Sequence, residues 1–350
     1  MHSFKKAAGS IALFLAFTIL LSCVIAAPAF MPDSLYNDSH TRYELAGTLD
    51  TIICGQSQAI VAFVPEIIDE RLGTNSYNLS SYIASADGRK TMLEKELARN
   101  PVQTVVLEIA FDCLLASSEN DATGEAMIVC KLDTAKEKIG YLLSHTSLKD
   151  GSFDGVYAMF MRYGLNAWKA KLSGNVNIPQ SNRGRVIQVS NDLTLSDDRI
   201  AGLYNSQTID TNFSAKITAQ MADIVEMCRE NGAEVIIAVT PLSDETLWRF
   251  ENLECVHEYL AEFAKEQNCA YVDFNLYKER GRLFDDSKSF YDGSHMSDAG
   301  AKAYSAAFAD VLKMLRDGES IDALFYSDYD EGKEALPYAG ALKTEPGASE

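Results

Sequence analysis

Apolar residues fall along this chain in two rhythms. Residues 49–54 (LDTIIC), 102–111 (VQTVVLEIAF) and 234–240 (EVIIAVT) are short, nearly continuous apolar runs. Such runs, rich in β-branched residues, predict strands covered on both faces. Residues 74–79 and 270–274 (AYVDF) read as two more short strands. Longer stretches repeat apolar residues every three or four positions and predict helices. These are 89–99, stopped by Asn100-Pro101, then 215–231 with Gly232 as C-cap, 254–267 and 297–315. A helix-like run also follows Ser57. Residues 131–172 read as helices carrying Tyr157, Phe160, Tyr163 and Trp168, and 175–198 as irregular chain with one short strand at 186–189. Strands alternating with helices predict an α/β fold: a parallel sheet with helices on both faces.

The ends of the chain break this rhythm. Lys5 and Lys6 precede an apolar stretch from Ala7 to Met31, long enough to span a bilayer. Positive charge before it and none soon after places the N-terminus inside and the remainder outside. Two processing signals compete with a simple anchor. Ala27-Pro28-Ala29 has the small-x-small form of a cleavage site, and Leu20-Leu21-Ser22-Cys23 resembles a bacterial lipobox. The apolar run exceeds a usual signal core, which favours an uncleaved anchor. Three parts are therefore expected: an anchor at 1–31, an α/β domain at 32–318, and an acidic, loosely ordered tail at 319–350. Residues 113–211 are too long for one crossover and read as a largely helical insertion, a lid or substrate wall.

With 350 residues, 47% of them hydrophobic, the chain can bury one large core. The net charge of −19 and the lack of a later basic run argue against nucleic acid as a partner. No phosphate-cradling glycine loop is present, which argues against a kinase or NTPase. No cofactor is expected. No CxxC pair occurs among the seven cysteines. Cys113 and Cys130 flank a polar loop as a candidate disulfide pair. His257 beside Cys255 does not make a metal site, and no metal is expected. Among the many carboxylates, no pair stands out as a glycosidase acid and nucleophile.

The chemistry concentrates at two points. Gly55-Gln56-Ser57 stands where the first strand ends, the edge at which parallel sheets bind ligands. Gly55 allows a tight turn there. A helix opening after Ser57 would aim N–H groups at a developing oxyanion. An alcohol nucleophile needs a base, and His295 lies in Tyr291-Asp292-Gly293-Ser294-His295, directly before the last helix. Asp292, three residues upstream, is placed to hold the imidazole in one tautomer. The bland alternative is that Asp292, Ser294 and Ser297 only shape and cap that helix start.

Gly55-Gln56-Ser57 early and Asp292-x-x-His295 late resemble blocks I and V of the SGNH (GDSL-like) hydrolases. Tyr77-Asn78-Leu79-Ser80 resembles the second block. Arg162-Tyr163, Trp168, Glu230-Asn231-Gly232 and Thr240-Pro241 are similar to membrane-tethered SGNH-like proteins of clostridial and related bacteria. Those are distant relatives of the protein that helps D-alanylate teichoic acids. The resemblance implies a three-layer α/β/α sandwich, Ser57 as nucleophile, His295 as base and Asp292 as orienting carboxylate. It makes the Ser57 N–H one oxyanion donor, with Gly55 and Asn78 at the same oxyanion or substrate site. The pattern departs from the family twice. Gln56 replaces the usual acid of block I, and Glu108 to Asp112 stands in place of Gly-x-Asn-Asp. Ser190-Asn191-Asp192, inside the insertion, is a decoy for that block. Arg162, Tyr163 and Trp168 lie at helical spacing, which packing alone explains.

Together these readings point to ester chemistry outside the membrane. Water as acceptor gives an esterase; a sugar or polyol hydroxyl gives an O-acyltransferase. The resemblance suggests an acylated cell-envelope glycopolymer or a small ester as substrate. The alternatives are an inactive glycopolymer-binding module and a partner of a membrane acyltransferase.

Overall fold

The structure is a computed structural model that describes residues 2–27, 47–115, 122–147, 149, 152–173, 183–191 and 207–336. The chain divides into two compact units. One combines Met1–Thr41 with Ala122–Gln180; the other combines Arg42–Asp121 with Ser181–Glu350.

The second unit holds the sheet. β1 (Thr51–Cys54), β2 (Ser76–Asn78), β3 (Thr104–Glu108), β4 (Glu234–Val239) and β5 (Ala270–Asp273) all pair in parallel, in the order β2-β1-β3-β4-β5. They coincide with the five segments read as strands in the sequence. Strand residues alternate between two buried faces. Ile53, Val106, Ile236 and Ala238 face one cluster with Phe63, Phe274, Tyr304 and Phe308. Ile52, Val105, Leu107 and Ile237, one residue out of phase, are equally buried. Helices cover both faces, so the unit is a three-layer α/β/α sandwich.

Short α2 (Ser57–Ala62) and α3 (Pro65–Leu72) follow β1, and α4 (Ala86–Leu97) follows β2. The first unit supplies α5 (Ala122–Lys131), α6 (Ala135–His145) and α7 (Ser152–Leu172), together with α1 (His2–Ala26). Back in the sandwich come α8 (Ala215–Glu230), α9 (Asp244–Arg249), α10 (Leu253–Glu266), α11 (Arg280–Leu283), α12 (Asp298–Arg316) and α13 (Tyr329–Glu334). α12 packs with α2 and α3, and α8 with α4. Side-chain caps mark several starts. Ser85, Ser214 and Ser297 each accept a first-turn N–H, and Thr134 with Glu137 forms a reciprocal box.

Four expectations change. Residues 186–189 are not a strand: Val186 N–H donates to Ile60 and Gln188 accepts from Asp298, so this segment bonds to α2 and α12 instead. The insertion is narrower than 113–211, since 183–191 belongs to the sandwich. The expected loose tail is ordered through Leu336. Asp328 caps α13 and Tyr329 is buried against β5. The acidic residues that suggested disorder serve in part as helix caps there. Finally, none of the seven cysteines, Cys113 and Cys130 included, is in a disulfide. Residues 337–350 lie outside the described residues.

Candidate active site

The order β2-β1-β3 reverses direction at β1, and ligands bind such sheets beyond the strand ends at that reversal. Ser57 sits there, first residue of α2 and only partly buried. Gly55 is required for space rather than for a special turn. A Cβ at this position would lie 2.4 Å from the Glu108 carboxylate and 2.7 Å from the Ala59 methyl. Its φ is not in the left-handed region.

Residues 289–297 form a small hairpin-like loop ahead of α12. Phe290 and Met296 bridge across it and are fully buried, and Tyr291 N–H donates to the His295 carbonyl at 2.8 Å. Its tip carries Asp292 and His295. His295 Nε2 lies 2.8 Å from Ser57 Oγ. His295 Nδ1 lies 2.9 and 3.0 Å from the two Asp292 oxygens. Asp292 also accepts the backbone N–H groups of Ser294 (2.9 Å) and His295 (2.8 Å). Asp292 therefore both shapes the turn before α12 and bonds to the His295 ring in one geometry. Burial pulls the Asp292 carboxyl upward. Hydrogen bonds from the His295 ring and from the Ser294 and His295 N–H groups outweigh it and hold the group at about 2. The carboxylate thus stays ionised at any ordinary pH and fixes the Nδ1–H tautomer, leaving Nε2 to accept from Ser57.

The Asn78 side chain is engaged by the frame in this structure. It is fully buried, and its amide donates to the carbonyls of Ala59 (2.8 Å) and Phe63 (3.5 Å). Its Oδ1 accepts from Ser80 and its own N–H donates to Arg183. Asn78 clamps α2 to β2. Gly55 likewise serves the frame: its carbonyl accepts the Ser81 N–H at 3.2 Å. The Ser57 N–H, in the first turn of α2, has no acceptor within its helix and is the donor nearest the nucleophile.

Glu108 is a positioning residue whose role the sequence did not reveal. It ends β3, is fully buried, and accepts the Gln56 N–H at 3.0 Å. Arg89, also buried, donates to the Glu108 carbonyl. An acid at the end of an otherwise apolar strand was the available signal, since carboxylates are rarely buried without a task. Thr240, singled out in the sequence, donates to Gln58 at 2.9 Å and ties β4 to α2. Asn191 donates its N–H and its side-chain amide to the carbonyls of Phe290 and Tyr291, so this decoy braces the loop that carries Asp292 and His295. Asp192 lies outside the described residues.

His257 is used away from this site. Its Nδ1 lies 3.1 Å from Asp273, whose same oxygen also accepts from Tyr271 and Tyr329.

No family model and no curated protein matches the chain. Among solved structures it is similar to TesA, with 12% identity and a TM-score of 0.38 over 76% of this chain and 98% of that one. It is also similar to a GDSL-like lipase from Bacteroides thetaiotaomicron, with 10% identity and a TM-score of 0.35 over 81% of this chain and 100% of that one.

Proposed function

We propose that this chain is an extracytoplasmic SGNH-type serine esterase or O-acyltransferase. One observation carries the reading. Ser57 stands more than 200 residues from Asp292 and His295 in the sequence, yet the three form one continuous hydrogen-bonded line at the sheet's ligand-binding edge. His295 Nε2 takes the Ser57 proton as Oγ bonds to the acyl carbon. The Ser57 N–H supports the oxyanion, and His295 returns the proton to the departing alcohol as the C–O bond breaks. The acyl-enzyme then passes to water or to an acceptor hydroxyl, with the proton flow reversed.

Apolar side chains flank this point. Ile83, Ile187, Val189 and Tyr291 are all exposed. Ile83 lies in the loop bonded to Gly55 and Gln56, and Ile187 and Val189 on the segment bonded to the catalytic loop. Ile83 also holds φ at 49°, a strained value for a β-branched residue. These residues favour an apolar acyl portion. The resemblance to envelope proteins favours a glycopolymer as the other portion.

The location rests on α1. Its segment Ala8–Ala26 is long and apolar enough to cross a bilayer, and the lysines ahead of it set the N-terminus inside.

The test is fluorophosphonate labelling of the purified protein. Wild type should label, Ser57→Ala should not, and His295→Ala should label far more slowly. Ester turnover should fall about 10⁴- to 10⁶-fold in either variant. A folded wild type that neither labels nor turns over an ester would replace this reading with the glycopolymer-binding module.

A further inference from the structure

The apolar part of α1 is bare except at its end. Residues 8–21 are all exposed, while Ser22, Ile25, Ala26 and Ala27 are partly covered. The cover is α7. Ser22 Oγ and Tyr157 OH lie 2.6 Å apart, and Trp168 Nε1 donates to the Val24 carbonyl at 2.9 Å. That carbonyl is among the last four of α1, which have no acceptor role within the helix. Between these two bonds lies Gly164. A Cβ there would stand 1.8 Å from the Ile25 carbonyl oxygen, so a larger residue would force the backbones apart. Tyr157, Gly164 and Trp168 are spaced seven and four apart and share one face of α7.

The two sides of this contact differ in length. On α1 it runs from Ser22 to Ala26, four steps or about 6 Å of axis. On α7 it covers eleven steps, about 16 Å. The helix α7 therefore crosses the end of α1 rather than running beside it. An α1 that stands upright in a bilayer places α7 flat, at the level where the span leaves the hydrocarbon. The free side chains of this unit suit that level. Leu165 and Leu172 on α7 are 54% and 85% exposed, and Leu143 on α6 is 79% exposed. Arg162 and Lys169 share the open side of α7, where their long stems can reach toward headgroups. At the junction lies an apolar cavity of about 540 Å³, lined by Cys23, Ala26, Leu142, Val156 and Phe160.

We infer that the helical unit is seated in the bilayer surface. α7 lies in the headgroup plane, Trp168 marks the interface, and Leu165 and Leu172 dip into the acyl region. The occupant of the exposed apolar face is lipid, because that face continues directly from a span that is exposed along residues 8–21 among the described residues. This rests on reading α1 as an uncleaved anchor.

The full-length chain reconstituted in phosphatidylcholine vesicles tests it. Alkaline carbonate washing first shows whether the anchor is inserted. Tryptophan emission is then compared between wild type and Trp168→Phe, in vesicles brominated high on the acyl chain or near its methyl end. The expected result is a chain that resists carbonate, with a Trp168 signal quenched strongly by high bromines and weakly by deep ones. A carbonate-resistant chain whose Trp168 signal neither lipid quenches would overturn the inference and leave the anchor standing. Release by carbonate would overturn both.

Discussion

Two buried polar residues grip the nucleophile turn in different ways, and substitutions should separate them. Glu108 accepts the Gln56 N–H next to Ser57. Glu108→Gln keeps an acceptor there and should retain most activity. Glu108→Ala leaves a buried donor unmet, at a cost of about 1–3 kcal/mol, and frees the turn. Its kcat should drop while KM holds. Asn78 instead bonds to carbonyls of α2 and the residue following it. Asn78→Ala should lower the melting temperature by several degrees, at about 2–4 °C per kcal/mol, while the folded fraction still labels with fluorophosphonate at the wild-type rate. Loss of labelling without loss of melting temperature would restore Asn78 to the oxyanion site. The three residues of the hydrogen-bonded line were readable because each sits at a landmark: a strand end, or the turn before a helix. The roles of Glu108 and Asn78 were not readable, because they depend on which backbone groups the fold brings within 3 Å.

At the scale of elements, strands and helices were legible and the tail was not. Apolar runs that face two covering layers leave an unbroken pattern, and β1, β3 and β4 show it. The segment around α13 carries Asp328, Asp330 and Glu331 among few apolar residues, so composition suggested disorder. Its order comes from one buried contact, Tyr329 OH to Asp273 at 3.0 Å, and from the bond between its N–H and Glu254. The same Asp273 holds His257 of α10. Burial works against a charge on His257. The hydrogen bond and charge of Asp273 outweigh it, with Glu254 and Glu258 adding, and its pKa is raised above 6.5. A raised folded value means the stabilisation is fully present below about pH 6.5 and is lost as pH climbs through the folded value. Tyr271 and Tyr329 are pushed well above 10 by burial, so they do not titrate in that window. The melting temperature should therefore decline as pH rises above neutrality, and His257→Gln should flatten the decline. An unchanged slope in that variant would assign it to other groups.

At the scale of the whole molecule, the sequence separates an anchor from an insertion, whereas the structure gathers them into one unit. The join depends on pairs such as Ser22 with Tyr157, 135 residues apart, and on the missing side chain of Gly164. Neither leaves a periodic signal; Gly164 reads as an ordinary helix glycine until the partner backbone is seen. Trp168 reads as a packing residue, which it is, but for the helix α1. This division has a consequence for stability. The sheet unit keeps its own core, with Ile52, Val105 and Ile237 fully buried. The helical unit loses part of its cover when α1 is removed. A chain that begins at Pro28 should therefore lose hydrogen-exchange protection across α7, around Gly164 and Trp168. Amides of β1, β3 and β4 should keep theirs, because regions open in separate cooperative steps when few buried contacts join them. Equal loss of protection in the sheet would mean that the two units fold and open together, and that the N-terminal helix supports the catalytic fold itself.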